Sequence, residues 1–390
     1  MPHNPLEIAI GPQILVWARE TIGLDVTEVA KKLQTSEDII SKWENGQKNP
    51  TLTQIEKLAN IYKRPLATFF LPTPPQEPSF PKDFRALPQD KRKPFTSKTR
   101  LAVRRARRLQ SLAVELANGL NHKIVVEIGK ANLSDNPEKV ASQVRERLGI
   151  GIQEQLRWRT ERQAFDEWKK AVEKCGAFVF QMSMPLEETR GFSLPRDTFP
   201  IIVLNLRDAI RGQIFSILHE YGHLLLEDAG ICNMRDEDYL HVGYKSTEKF
   251  CNHFAGAVLV PGDALTSHEL VKDIKSTVEW SDEDLEKLAQ EFRVSRQVIL
   301  RRLVILGRAN SAFYKKKQKE WESLTPPQKK WGRRNPPKQC IRNTGIPFIS
   351  LVLESQRGEK ITYKDAADYL SIRLKYLPKV EELIGGKSYL

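Results

Sequence analysis

The sequence predicts a multidomain, mostly α-helical chain with a small β-sheet, an α+β architecture. A length of 390 residues exceeds the roughly 100–200 residues of one domain. Forty per cent of the residues are apolar, enough for several buried cores. Apolar residues recur mainly at helical spacing, whereas only two short β-rich runs, 176–184 and 200–206, are bounded by turn residues and predict strands.

Composition limits the classes of protein that the chain can represent. No run of 18 apolar residues exists, so we expect neither a membrane helix nor a membrane partner. The N-terminal segment lacks the basic and apolar regions of a secretory signal. Four scattered cysteines without a C-x-x-C pair fit a reducing compartment, so we expect a cytoplasmic protein.

The net charge of +13 is concentrated in two stretches. Residues 82–110 contain eleven Lys or Arg against two Asp or Glu, and residues 311–341 contain nine against two. Residues 1–72 are neutral, with eight of each sign. The two basic stretches are either solvated linkers or surfaces that contact an acidic partner such as DNA phosphates.

The N-terminal region has a helix-turn-helix pattern. Apolar spacing predicts one helix that ends near Leu33 and a second that carries Ile40 and Trp43 on its inner face. A turn at 34–35 separates the two, and Ser36 is suited to cap the N-terminus of the second helix. Such a unit presents its second helix outward.

The run WENGQKNPTLTQIEKLA resembles the signature of XRE-type (lambda-repressor-like) DNA-binding domains, and the resemblance covers about residues 12–71. It implies double-stranded DNA as a partner, read by the N-terminal part of the second helix, and a homodimer. The candidate contact residues are Ser36, Glu37, Asp38, Ser41 and Lys42. Because two of these are acidic, a protein-recognition or dimerisation role on the same fold stays open.

A metal-binding motif occurs in a strongly apolar helix. His219, Glu220 and His223 form H-E-x-x-H, in which two imidazoles one helical turn apart can bind one Zn²⁺. Glu220 lies beside them as the candidate general base. Polar side chains inside such an apolar helix would be costly without a partner. We therefore predict a catalytic metal site that holds Zn²⁺, with Mn²⁺ as the other option.

A catalytic zinc site needs a third protein ligand and an open position. The residues that follow the motif leave four candidates for the third ligand: His241, Glu248, Cys251 and His253. For stabilising the oxyanion, His241 and Tyr244 are the nearby candidates.

Two longer segments resemble the ImmA/IrrE family of metallo-endopeptidases. They are RGFSLPRDTFPIIVLNLRDAIRGQIFSILHEYGHLLLE and EKFCNHFAGAVLVP, within a likeness that covers about residues 80–310. The family joins such a peptidase unit to an XRE unit. The resemblance implies Glu248 as the third ligand, cleavage of a repressor-type regulator, and thereby control of transcription.

A second helix-turn-helix-like pattern follows at residues 281–308. Its basic side chains are Arg293, Arg296, Arg301 and Arg302, of which Arg296 and Arg301 are the preferred candidates for DNA or partner contacts. The other interpretation is a scaffold element. We also expect the strand at 176–184 to offer a sheet edge to a substrate strand.

Together these patterns predict six segments. They are an XRE-type domain at 1–72, a Pro-rich linker at 73–96, a metallopeptidase domain at 97–275, a second helix-turn-helix-like element at 276–310, a basic linker at 311–345 and a small helical tail at 346–390. Three functions compete: a zinc-dependent, site-specific endopeptidase, a DNA-binding regulator with a structural or sensory metal site, and an antitoxin-like binding module. The intact Glu220 favours the endopeptidase, because a structural zinc site needs no general base.

Overall fold

A computed structural model describes residues 6–78, 80–83, 94–122, 125–195, 198–227, 230–232, 242–322 and 335–385. The described residues form two compact units. The first comprises those within 1–80 and 91–105, and the second comprises those within 81–90 and 106–390.

The first unit is helical. Its helices are α1 (Pro12–Ile22), α2 (Val26–Leu33), α3 (Glu37–Glu44) and α4 (Leu52–Tyr62), followed by a 3₁₀ turn at Leu66–Phe70 and by the start of α5 (Ser97–Gly119). Trp43, Tyr62 and Phe69 are buried in its core. Helices α2 and α3 form the predicted helix-turn-helix.

The turn between α2 and α3 is built from local hydrogen bonds. Gln34 adopts a left-handed backbone conformation with φ of 57°, which closes α2. Ser36 Oγ accepts a hydrogen bond from the backbone N–H of Ile39 at 3.4 Å, so its predicted N-cap role is confirmed.

The second unit combines a five-stranded sheet with many helices. The strands are β1 (Lys82–Asp83), β2 (Phe178–Met182), β3 (Gly191–Leu194), β4 (Ile201–Asn205) and β5 (Gly230–Cys232). The helices after α5 are α6 (Pro137–Leu148), α7 (Ile152–Arg157), α8 (Glu161–Lys174), α9 (Ile210–Leu225), α10 (Val242–Leu259), α11 (Gly262–Thr266), α12 (Asp282–Phe292), α13 (Arg296–Ile305), α14 (Ser311–Glu322), α15 (Pro336–Thr344), α16 (Ile346–Arg357), α17 (Tyr363–Tyr369) and α18 (Leu377–Ile384).

The strand order in the sheet is β1-β5-β3-β4-β2. Strand β4 lies parallel to β2 and antiparallel to β3, with Val203 opposite Phe180 on one side and Phe192 on the other. Strand β5 pairs antiparallel with β3 and parallel with β1. The two predicted strands are confirmed as β2 and β4, and the two- to four-residue strands β1, β3 and β5 are additions.

Helix α9 lies at the centre of the second unit. Every residue from Gln213 to Leu225 is buried, between the sheet on one side and α8 and α10 on the other. The apolar residues of these helices and of α12 and α13 belong to one continuous core. A helix buried on all sides explains the apolar sequence around H-E-x-x-H.

Strand β2 lies at the edge of the sheet, as predicted, but the expectation that this edge is open to a substrate strand is wrong. This strand ends the sheet, but all five of its residues are buried. The ring of Phe348 in α16 lies 5.7 Å from that of Phe178 and 5.4 Å from that of Phe180. Helices α15 and α16 therefore cover the strand with which a substrate strand would need to pair.

The segment expected as a basic linker, 311–345, contains helices α14 and α15. Phe313 of α14 and Cys340 of α15 are buried, so apolar side chains between the lysines anchor both helices. The tail at 346–385 is helical as expected. Across the described segments, no helix has both the length and the apolar character needed to cross a membrane.

Candidate metal centre

The start of α9 is fixed to the end of the sheet. Asp208 accepts hydrogen bonds from Arg190 at 2.7 Å and from the backbone N–H of Ala209 at 2.8 Å. A Cβ added at Gly212 would lie 2.5 Å from the Asp208 carboxylate, so only glycine leaves room for it. These contacts set the position of the helix that carries H-E-x-x-H.

Three buried side chains from α9 and α10 converge on one point. The Nε2 atoms of His219 and His223 lie 3.3 Å apart. Glu248 places Oε2 at 3.4 Å from His219 Nε2 and Oε1 at 3.0 Å from His223 Nε2. All three residues are buried.

The spacing of these donor atoms fits a divalent metal ion with tetrahedral coordination. Ligand bonds of about 2.0–2.1 Å at tetrahedral angles place donor atoms about 3.3 Å apart. The two imidazole nitrogens, 3.3 Å apart, match that value, and each of them has one oxygen of the Glu248 carboxylate within 3.4 Å. Two imidazole nitrogens and one carboxylate are also the donor set of catalytic rather than structural zinc sites.

The Glu248 carboxyl is held in its charged form. Burial by itself raises its pKa, but its electrostatic interaction and hydrogen bonds with His219 and His223 outweigh that effect, so the pKa lies below the ordinary value. A carboxylate that stays ionised next to two imidazoles is prepared to bind a cation.

The side chain of Glu220, in α9, packs against the start of strand β3. Its side chain is 1% exposed, and a Cβ added at Gly191 would lie 3.3 Å from its Oε1. The same Cβ would lie 3.0 Å from the carbonyl oxygen of Val203. The absence of a side chain at Gly191 therefore allows Glu220 to pack directly against the backbone of β3. Sequence reasoning missed this glycine, although it stands within the segment that carries the family resemblance.

The C-terminal end of α10 is capped by buried side chains. Arg145 donates to the carbonyl of Val258 at 2.7 Å, and Arg302 donates to that of Val260 at 2.8 Å. Gln155 donates to the carbonyl of Leu259 at 2.8 Å. Because the end of a helix carries unpaired carbonyls and partial negative charge, two guanidinium groups stabilise it. This cap holds the helix that supplies Glu248.

Gly222 allows α9 and α10 to approach closely. A Cβ at this position would lie 3.1 Å from Cys251 Sγ and 3.2 Å from Cδ1 of Phe254. Side chains rather than a second backbone thus occupy the space that the glycine leaves. The close approach offsets the roughly 1 kcal/mol that glycine costs within a helix relative to alanine.

Two of the other candidates for the third ligand, Cys251 and His253, do not join the group. Cys251 is fully buried beneath Gly222, and His253 places Nε2 2.6 Å from Oε1 of Glu138. His241 lies outside the described residues, and so does the side chain of Tyr244. Among described residues, His219, His223 and Glu248 are the group whose donor atoms can share a metal.

The second helix-turn-helix-like element is part of the core. Helices α12 and α13 form the predicted pair, with Arg293 in a left-handed turn. Arg302 is fully buried and pairs with Glu138, so its assignment as a candidate DNA contact is wrong. The Arg296 guanidinium stacks on the Trp321 ring at 5.0 Å.

Arg301 contacts Tyr314, with its Nη2 atom 3.1 Å from the hydroxyl oxygen. Both preferred basic candidates of this element thus touch α14. A contact of either one with DNA stays a prediction.

The candidate contacts of the first unit lie on α3 and at its N-cap. Ser36, Glu37 and Asp38 are exposed, and Ser41 and Lys42 are half-buried. Asp38 pairs with Lys42 at 2.7 Å, so part of the acidic charge is neutralised within the helix.

Two family models match the chain. Residues 172–304 match a peptidase family described as the IrrE N-terminal-like domain, and residues 15–69 match a helix-turn-helix family. The chain thus joins a helix-turn-helix domain to a metallopeptidase-like domain, as the sequence predicts. A comparison with curated proteins finds no match.

Proposed function

We propose that the chain is a zinc-dependent, site-specific endopeptidase that cleaves a repressor-type regulator and so controls transcription. The observation that carries this proposal is the convergence of His219, His223 and Glu248 beside Glu220, within a region that matches a peptidase family. A group with three protein ligands suits catalysis, because a metal there keeps a position for water or substrate.

The residues have separate roles in the proposed reaction. His219, His223 and Glu248 would hold the metal. A divalent metal held by them would supply Lewis acidity, which would acidify water and polarise the scissile carbonyl. Glu220 takes the proton of the attacking water and delivers it to the leaving amine. Its buried position against Gly191 keeps the carboxylate in one orientation.

The first unit supplies recognition in this proposal. Its match to a helix-turn-helix family supports binding to double-stranded DNA at the operator that the regulator occupies. A homodimer would match an operator with two half-sites. The reaction would take place in the cytosol, which the free thiols of Cys175, Cys251 and Cys340 support.

The second candidate function is a DNA-binding regulator whose metal site is structural or sensory. The helix-turn-helix match favours it. The acidic start of α3, with Glu37 and Asp38 exposed, opposes close approach of this helix to phosphates.

One experiment separates the two candidates. Zinc content is measured for the purified full chain, Glu220→Gln and the control Glu279→Gln, which changes an exposed glutamate. Each protein is then incubated with repressor-type proteins encoded beside its gene and with reduced casein, and products are identified by intact mass. We expect about one zinc in each protein, as one three-ligand group implies. Cleavage should be lost only in Glu220→Gln, by about 100-fold or more.

Full cleavage by Glu220→Gln would refute the mechanism. Zinc in all three proteins, with cleavage of no substrate by any of them, would favour the regulator.

A further inference from the structure

A cavity of about 430 Å³ lies in the second unit, away from the metal centre. Lys169 and Glu173 of α8 line one side. Ile341 and Arg342 of α15 and Ile346 of α16 line the other. The volume falls within the range of small-molecule sites.

Positive charge exceeds negative charge around this cavity. The cationic lining residues are Arg162, Lys169, Lys170, Lys174, Lys338 and Arg342, and the acidic ones are Asp166, Glu167 and Glu173. Arg162 pairs with Asp166 at 2.8 Å, and Lys169 lies 3.7 Å from Glu173. These two pairs leave the excess of positive charge on the other cations.

Lys338 and Arg342 have a common feature. Within the described part of the chain, neither Lys338 nor Arg342 forms a salt bridge with a carboxylate. In addition, the Nε atom of Arg342 is buried and has no hydrogen-bond partner. A guanidinium donates hydrogen bonds in a fixed fork that matches a carboxylate. The α15 side of the cavity therefore has the chemistry of an anion site.

The α8 side of the cavity is preformed. Lys169 Nζ donates to the carbonyl of Arg342 at 2.8 Å. Gly345 has φ of +81°, and a Cβ there would collide with the Glu173 carboxyl, so glycine makes room for this group. Burial raises the pKa of Glu173 to about 7, and nearby Lys169 opposes that rise. Carboxyl groups so close to the cavity disfavour a ligand with several negative charges.

We propose that the cavity binds a small amphipathic monocarboxylate. Its carboxylate pairs with Arg342 and Lys338, and its apolar body packs against Ile341, Ile346 and Leu383. The lining of the cavity contains six cationic and three acidic side chains, so its excess of positive charge can pair with one ligand carboxylate. A ligand with several negative charges would be repelled by the acidic side chains. This proposal does not depend on the peptidase activity, because it concerns different residues and is tested by binding.

The test uses isothermal titration of the full chain with two acids, 4-phenylbutanoate and octanoate. The matched amines, 4-phenylbutylamine and octylamine, have the same apolar bodies and the opposite charge. The variants are Arg342→Gln and Lys338→Gln, and the control is Lys364→Gln, which removes an exposed positive charge elsewhere. Lys338 is exposed, so its variant keeps the test valid if Arg342→Gln melts at a lower temperature.

We expect at least one acid to bind at one site per chain, and its affinity to fall about tenfold or more in either variant. Lys364→Gln should bind as the wild type does, and neither amine should bind at that site. The proposal is overturned if neither acid binds below about 10 mM. It is also overturned if an amine binds as well as its acid, or if Lys338→Gln keeps full affinity.

Discussion

The carboxylate of Glu248 illustrates how a single residue can define the site. It lies within 3.4 Å of the imidazoles of His219 and His223, and its electrostatic interaction and hydrogen bonds with them lower its pKa despite its burial. Two neutral donors on α9 alone would hold a metal weakly. The Glu248 carboxylate comes from a different helix than the two imidazoles, so this group of side chains also joins α9 to α10.

Replacing Glu248 by glutamine tests its proposed role as a ligand. The amide preserves the shape but removes the charge that a cation needs. We expect zinc affinity to fall by about 100-fold or more, since changes in groups around a metal already cost 10–100-fold. Competition with a chromophoric chelator measures the affinity. Glu279→Gln is the control, and equal affinities in the two variants would show that Glu248 is not a ligand.

At the scale of elements, strand β3 positions Glu220. Its first residue, Gly191, pairs with Leu204 of β4 and packs against the Glu220 side chain. Four residues are too few to show an alternating pattern in the sequence, so β3 was not predicted. Its role depends on contact with a helix about thirty residues later in the chain.

Gly191→Ala should disturb catalysis more than metal binding. The added methyl group would meet the Val203 carbonyl at 3.0 Å and Glu220 at 3.3 Å, so the carboxylate must shift. We expect kcat to fall about 10- to 100-fold with zinc affinity within about twofold of wild type, because small misplacements of catalytic groups are costly. Gly119→Ala is the matched control, since nothing lies within 4 Å of its Cβ. Unchanged kcat in Gly191→Ala would exclude this positioning role.

At the scale of the whole molecule, the C-terminal helices pack against the sheet of the second unit. Phe348 is fully buried against Phe178 and Phe180 of the sheet. A tail that folded apart from the peptidase region would not make such contacts. The packing of α16 on β2 therefore ties the C-terminal helices to the metallopeptidase-like region.

Phe348→Ala should lower the free energy of unfolding of the second unit by roughly 3–5 kcal/mol, as for other buried phenylalanines. Urea denaturation followed by tryptophan fluorescence measures the loss. The control is Tyr363→Ala, because Tyr363 belongs to the same unit and is 53% exposed, so its loss should cost less than about 0.5 kcal/mol. Similar midpoints for the two variants would contradict the packing of α16 on the sheet.

A second prediction at this scale concerns acid stability. Burial alone would raise the pKa of Glu138, but its hydrogen bonds to His253 and Arg302 lower that pKa to about 2. The pKa of Glu138 in the folded protein lies below its ordinary value of 4.5. The interaction of the ionised Glu138 carboxylate with its partners therefore stabilises the fold fully above pH 4.5. This stabilisation is lost as the pH falls from about 4.5 towards 2.

Urea denaturation of wild type and Glu138→Gln at several pH values tests this linkage. The wild type should be more stable at pH 6, and the difference should shrink through that window. Glu279→Gln serves as the control. A difference that is constant from pH 6 to pH 3 would show that Glu138 is not the responsible group.

The sequence by itself determined those features of the protein that depend only on residues a few positions apart in the chain. Helical periodicity, the Ser36 cap and the one-turn spacing of His219 and His223 are local, because a helix fixes the relation of residues a few positions apart. The two strands with five residues were also long enough to recognise. The family resemblance added Glu248, which the residues alone left among four candidates.

Only the tertiary structure decided the relations between distant residues. Arg302 is a residue type that often contacts DNA, yet here it caps the C-terminal end of α10. A buried guanidinium needs hydrogen-bond acceptors, and these come from elements distant in the sequence. Gly191 and Phe348 carry no local sign of their roles against Glu220 and β2. Such contacts arise from how helices and strands pack, and packing depends on shape and burial across the whole unit rather than on spacing along the chain.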